Sequence, residues 1–141
     1  GFGGQKFITN TYAKVQERNT VKVTKDVVVS LLGPLGCGLQ TGAGTVMHIL
    51  KPEVGSSMAV FGTGTVGDAA IMAAKAMHVA KIIAVDIFDT RLAEAKALGA
   101  TDIVNSKTVD DVPAMIQEMT DGGVDYAVVS APAAPVLAAR P

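Results

Sequence analysis

From Ser57 onward the chain alternates short β-rich runs with helical patterns, and this rhythm admits few folds. The β-rich runs are Met58–Phe61, Ile82–Asp86, Ile103–Asn105 and Val124–Val129, and the helical patterns between them are Val66–Met77, Thr90–Leu98 and Val112–Thr120. A strand, a helix and a second strand close with a right-handed crossover that leaves the strands parallel. Four strands and three such crossovers predict an α/β fold with a doubly wound parallel sheet. The apolar content of 49% with only 4% aromatics, much of it Ala and Val, suits helices lying close on buried strands.

The third helical pattern has the clearest period. Val112, Met115, Ile116 and Met119 share one face, Asp110 and Asp111 precede it, and Gly122-Gly123 follow it. The second is expected to start after Asp89 as N-cap and to end at Gly99. The first is apolar almost all round and should be covered on more than one side. Upstream the rhythm stops. Lys6–Val15 and Thr20–Val23 read as short strands, and the second half of Leu31–Leu50 reads as a helix ending before Pro52. A boundary near Ser30 is expected, with 1–30 a remnant of another domain and 31–141 the main unit. The chain opens at Gly1 without a methionine and closes on Arg140-Pro141, so it is expected to be part of a longer protein.

Gly62-Thr63-Gly64-Thr65-Val66-Gly67 is a GxGxxG sequence between the first β-run and the first helix, and Asp86 ends the next β-run nineteen residues beyond Gly67. That context is the dinucleotide-binding fingerprint of a Rossmann-type fold. Gly62 permits the tight turn, Gly64 leaves no Cβ between backbone and pyrophosphate, and Gly67 lets the helix lie close on the strand. The N–H groups near Thr65 and Val66 would face phosphate oxygens. Asp86 would accept both ribose hydroxyls and repel a 2′-phosphate, which favours NAD over NADP. The competing readings are a glycine turn that only connects, an Asp86 that only caps a helix, and a methyltransferase. The last usually carries an acid before its glycine loop, where Phe61 stands close by. Asp68 fits poorly: in the first turn it suits the helix dipole, yet facing the loop it would repel a pyrophosphate.

Twelve basic and thirteen acidic residues give a net charge of -1, with nothing to attract nucleic acid or an anionic membrane. No apolar run is long enough to span a bilayer. One cysteine cannot make an internal disulfide, and a reducing, cytoplasmic setting is the expectation.

The run Leu35-Gly36-Cys37-Gly38-Leu39-Gln40-Thr41-Gly42-Ala43-Gly44, followed by Val54-Gly55-Ser56 and the glycine fingerprint, resembles the medium-chain zinc-dependent alcohol dehydrogenases. Ile82–Asp86, Ala95–Thr101 and Gly122–Tyr126 continue the likeness in order. Glu17-Arg18-Asn19 and the stretch from Gly33 to Gln40 look nearest to the aryl-alcohol (benzyl-alcohol) branch. The resemblance implies that about four of six sheet strands are present, that Cys37 is one thiolate ligand of a catalytic zinc, and that the other ligands are supplied elsewhere. Thr41 and Val66 would lie beside the nicotinamide, and Arg91 near the adenosine ribose. It further implies hydride transfer from a small alcohol to NAD in a homo-oligomer. Without the resemblance, a lone cysteine reads as a small buried hydrophobe, and His48 and His78 as surface or packing residues. The tail Ala131–Pro141 no longer resembles the family, and contacts from Val129 and Pro132 to a cofactor are not implied. The alternative reading is a non-catalytic nucleotide-binding module or a degenerate fragment.

Overall fold

A computed structural model describes residues 14–131 and contains one four-stranded parallel sheet. The strands are β1 (Ser57–Phe61), β2 (Lys81–Asp86), β3 (Asp102–Asn105) and β4 (Tyr126–Val129), in the order β3-β2-β1-β4. Between them run α2 (Thr65–Ala76), α3 (Asp89–Leu98) and α4 (Val112–Thr120). Ahead of β1, α1 (Gln40–Gly44) is flanked by π-helical turns at Leu35–Leu39 and Thr45–Leu50. The expected α/β class and parallel topology are therefore present.

Each side chain alternates across the pleat, so β1 and β2 feed two cores. On one side Met58, Val60, Ile82 and Ala84 pack with Ala70, Ile71 and Ala74 of α2 and Leu92 and Ala95 of α3. On the other, Ala59, Phe61, Ile83, Val85 and Val104 meet Ile116 of α4, with Val112, Met115 and Met119 beside it. That is the face predicted from its period. Helix α2 is covered twice, by the sheet and by α1. A Cβ on Gly42 would stand 2.0 Å from the Val66 carbonyl oxygen, so only glycine lets the two backbones approach this closely.

Topology then places a crevice. The chain leaves β1 for β2 and β3 on one side and returns through α4 to β4 on the other, pairing Phe61 with both Val85 and Val129. Loops diverge at such a reversal, and the space beyond the carboxyl ends of the strands opens there.

Several expectations need correction. Thr20–Val23 is not a strand; Thr20 turns its N–H and its hydroxyl onto the Glu17 carbonyl, closing a 3-10 turn (Glu17–Asn19), and Val21 is 90% exposed. Local satisfaction of this kind competes with strand pairing. Of Lys6–Val15, residues 6–13 lie outside the described residues, and Lys14 and Val15 have no regular structure. The helical segment before Pro52 begins at Leu35, earlier than expected, and stops at Lys51, which is left-handed at φ 46°. Phe88 rather than Asp89 is the N-cap of α3, because Asp89 Oδ1 accepts from Asn105 Nδ2 at 2.6 Å. Gly99 does end that helix, at φ 136°. Val124 and Asp125 fall short of β4: the Asp125 carboxylate accepts from the Ser57 N–H and hydroxyl, both at 2.8 Å, and pins the start of β1 instead. Those two bonds, the backbone one first, hold the Asp125 carboxyl below its ordinary pKa. Of the two acids expected before α4, Asp111 is its N-cap, accepting from Ala114 N–H at 2.9 Å.

Candidate functional site

The glycine loop lies at the reversal point. Gly62 takes φ +89°, and its N–H donates to the Val85 carbonyl at 2.8 Å, turning the chain sharply out of β1. Gly67 lies against that turn, where a Cβ would stand 1.8 Å from the Gly62 carbonyl oxygen. Gly64 is different: nothing lies within 4 Å of the place a Cβ would take. The start of α2 has no side-chain cap, so its first N–H groups keep their capacity to bind an anion. Open space before an uncapped helix start is what a pyrophosphate needs, and the loop fits one.

On the β4 side, Ser130 closes the loop from below. Its N–H bonds Phe61 O at 2.9 Å and its hydroxyl reaches Gly62 O at 2.9 Å. No sequence signal distinguishes Ser130 from an ordinary strand-end residue.

Asp86 ends β2 with 7% exposure, and all its acceptor sites are engaged. Oδ2 accepts from Thr63 N–H at 2.8 Å and Thr63 Oγ1 at 3.0 Å; Oδ1 accepts from Ile87 and Phe88 N–H at 2.7 and 3.1 Å. Burial pushes its pKa up, but these bonds outweigh it and hold the carboxyl below the ordinary value. Asp86 is thus charged and aimed, though with its lone pairs already occupied. Three of the four donors are backbone. Only the Thr63 hydroxyl can rotate away for a ribose hydroxyl, and nothing in the sequence marks Thr63, 1% exposed, for this position.

Beyond Asp86, the exposed Arg91 guanidinium lies 5.1 Å from the Phe88 ring centroid, with Lys107 on the same ring at 5.0 Å. One carboxylate oxygen of Asp68, Oδ1, is buried without a hydrogen-bond partner. Burial first, then Glu94 and Asp86, push its carboxyl up to about 6, with Arg91 opposing.

The other wall comes from α1 and the π-helical turn before it. A Cβ on Gly38 would meet Thr65 Cγ2 at 2.7 Å, and Gly42 touches Val66, so Thr41 and Cys37 are carried beside the start of α2. Cys37 is exposed, not the buried hydrophobe a lone cysteine suggests. It supplies one donor. Among the described residues no group of three His, Cys, Asp or Glu side chains is placed to hold a metal ion, so they do not by themselves fit a zinc site, which takes three protein ligands or more. An open polar groove lined by Glu53, Gly55, Asp125 and Tyr126 lies at the opposite end of the sheet and has no part in this geometry.

The family model for zinc-binding dehydrogenases matches residues 65–139, more than half of the chain and well into the Ala- and Pro-rich tail. The chain belongs to the zinc-binding dehydrogenase family. The crystal structure of benzyl alcohol dehydrogenase from Acinetobacter calcoaceticus is similar at 53% identity and TM-score 0.80, over 86% of this chain and 33% of that one. Alcohol dehydrogenase class-2 isozyme 2 of Oryctolagus cuniculus is 42% identical over 91% of this chain and 34% of its own length. Geraniol dehydrogenase of Castellaniella defragrans is 37% identical over 96% of this chain and 36% of its own. The chain spans about a third of the length of these relatives. The fold is the Rossmann-like cofactor-binding domain of such dehydrogenases. Among the described residues no helix is long and apolar enough to cross a membrane.

Proposed function

We propose that the chain is the NAD-binding part of a zinc-dependent alcohol dehydrogenase that interconverts small alcohols, of aromatic primary type, and their aldehydes. The observation that carries the reading is the loop: Gly64 faces open space in front of an uncapped α2, beside a charged Asp86. In this reading 31–141 is the cofactor-binding unit and 1–30 belongs with the substrate-binding part. The N–H groups of Thr65 and Val66 hold the pyrophosphate, with Gly62 and Gly67 fixing the turn that presents them. Asp86 accepts from the ribose hydroxyls after the Thr63 hydroxyl swings aside, and Arg91 covers the outer side. Thr41 and Val66 flank the nicotinamide end. NAD, when bound, supplies the hydride acceptor. Cys37 fits the role of one thiolate donor to a zinc completed outside this chain, as its exposure beside the loop allows. The 141-residue chain alone is expected to oxidise no alcohol. Assembly into a homo-oligomer and a cytoplasmic setting complete the proposal; the edge at β4, which no other strand pairs among the described residues, offers one surface for association.

Cofactor choice tests it. Replacing Asp86 with Ser in the full-length protein removes charge-assisted bonds worth roughly 1.5–3 kcal/mol, which lowers NAD affinity about ten- to a hundredfold and relaxes discrimination against NADP. Equal affinity of the unmodified protein for both cofactors would overturn the proposal.

A further inference from the structure

We propose that Lys107 is a second determinant of cofactor choice, a cation that draws a phosphate on the 2′ position of the adenosine ribose and so narrows the preference Asp86 sets. The inference rests on the dinucleotide reading and deepens it at the ribose end. Asp86 is the register partner of Asn105 at the ends of β2 and β3. Two residues beyond each, Phe88 and Lys107 meet, with the Lys107 ammonium 5.0 Å from the Phe88 ring centroid. The Arg91 guanidinium approaches the same ring at 5.1 Å. Phe88 in turn reaches the acid, because its N–H donates to Asp86 Oδ1 at 3.1 Å. One residue therefore has a carboxylate at its backbone and two cations at its ring.

The turn that carries Lys107 is anchored to the strand that ends in Asp86. Ser106 N–H donates to the Asp86 carbonyl at 3.0 Å, and Thr108 N–H to the Asn105 carbonyl at 3.1 Å. Lys107 N–H donates to Asn105 Oδ1 at 3.0 Å, and Asn105 Nδ2 is held by Asp89 Oδ1.

The two cations differ in what they act on. Asp86 is kept charged by hydrogen bonds from Thr63, Ile87 and Phe88, and neither cation is among the groups that shift it. Arg91 opposes the upward shift of Asp68, whereas Lys107 acts on neither acid and is exposed. An ammonium over an exposed ring gains only a modest attraction. A phosphate dianion offers it a stronger, charge-assisted bond. Asp86 thus repels a 2′-phosphate while Lys107 attracts it from the neighbouring strand end. The pyrophosphate loop follows β1, two strands from β3, a separation of roughly 10 Å. That is about one Debye length at physiological salt, so Lys107 acts weakly there and selectively at the ribose.

The test is calorimetric titration of the full-length protein with ADP-ribose and with its 2′-phosphorylated form. Lys107→Met keeps an apolar stem for the Phe88 ring and deletes the charge. It should weaken the 2′-phosphorylated ligand about three- to tenfold, the scale of one exposed charge-assisted contact, and leave ADP-ribose within about twofold. Lys107→Arg should keep the values of the unmodified protein, and the loss in Lys107→Met should shrink as salt is raised. In Asp86→Ser, where the repulsion is gone, the 2′-phosphorylated form should bind more tightly than ADP-ribose, and adding Lys107→Met should remove that advantage. An equal loss for both ligands would make Lys107 a packing residue and overturn the inference alone, as would the absence of any loss in the Asp86→Ser background. Failure of ADP-ribose to bind the unmodified protein would overturn the dinucleotide reading and the inference with it.

Discussion

The Asp86 carboxylate is held by Thr63 twice, through the backbone N–H at 2.8 Å and the hydroxyl at 3.0 Å. Both residues are buried, and the pair ties the end of β2 to the loop that leaves β1. One side chain thus does two things: it fixes the acid that would read the ribose, and it occupies a lone pair the ribose would need.

These two roles predict opposite effects of one substitution. Thr63→Val keeps the shape and the backbone bond but deletes the hydroxyl. Stability should fall by about 1–2 kcal/mol, the scale of a hydrogen bond to a charged group. NAD affinity should rise about three- to tenfold, because the ribose hydroxyl no longer displaces a competitor. Chemical denaturation and cofactor titration on the same preparation check both signs. A variant that loses affinity would show that Thr63 contacts the ligand or that Asp86 needs its hydroxyl to stay in place.

The glycines of the loop separate by what surrounds them. A Cβ at Gly67 meets the Gly62 carbonyl at 1.8 Å, whereas at Gly64 it meets nothing within 4 Å, and Gly64 has an ordinary extended backbone at φ -88°. Gly67→Ala should therefore destabilise the fold by about 1–3 kcal/mol, as overpacking does. Gly64→Ala should leave the melting temperature within a degree or two while abolishing measurable NAD binding, since the methyl would stand where the pyrophosphate belongs. Thermal unfolding with and without NAD distinguishes the two. Retained NAD stabilisation in Gly64→Ala would show that the open space over the loop holds no phosphate.

Pattern alone reached the sheet and the loop because both are local. Continuous β-rich apolar runs place β1 and β2, a 3.6-residue period places α4, and the glycine spacing places the turn. The contacts that decide the site are not local. Thr63 and Asp86 are twenty-three residues apart, Ser57 and Asp125 sixty-eight. Neither bond leaves a periodicity, and Thr63 inside a GxGxxG reads as any residue would. The expected strand at Thr20–Val23 fails for the related reason that β-propensity needs a neighbour to pair with. Asp68 marks the boundary of what was legible: its conflict with a bound phosphate follows from position alone, but its burial toward Glu94 follows only from how α3 packs on α2.

That burial also governs stability. The Asp68 carboxyl is raised to about 6 in the folded protein against an ordinary value of 3.8. The unfolded chain therefore releases the proton at a lower pH than the folded one. Below about pH 3 both states are protonated and the group has no effect. As pH rises through the window from about 4 to 6 the folded state is progressively disfavoured, and above about 7 the full penalty applies. The side chain is only partly buried, so solvent screening keeps the penalty well below that of a buried charge. Asp68→Asn should accordingly match the unmodified protein in melting temperature near about pH 3 and exceed it by roughly a few degrees at pH 8. The difference should grow through the intermediate window and then level off. Melting curves collected across that range without ligand give the comparison directly. An advantage for Asp68→Asn that is the same at every pH would mean the gain comes from packing, and that Asp68 does not titrate between the two values.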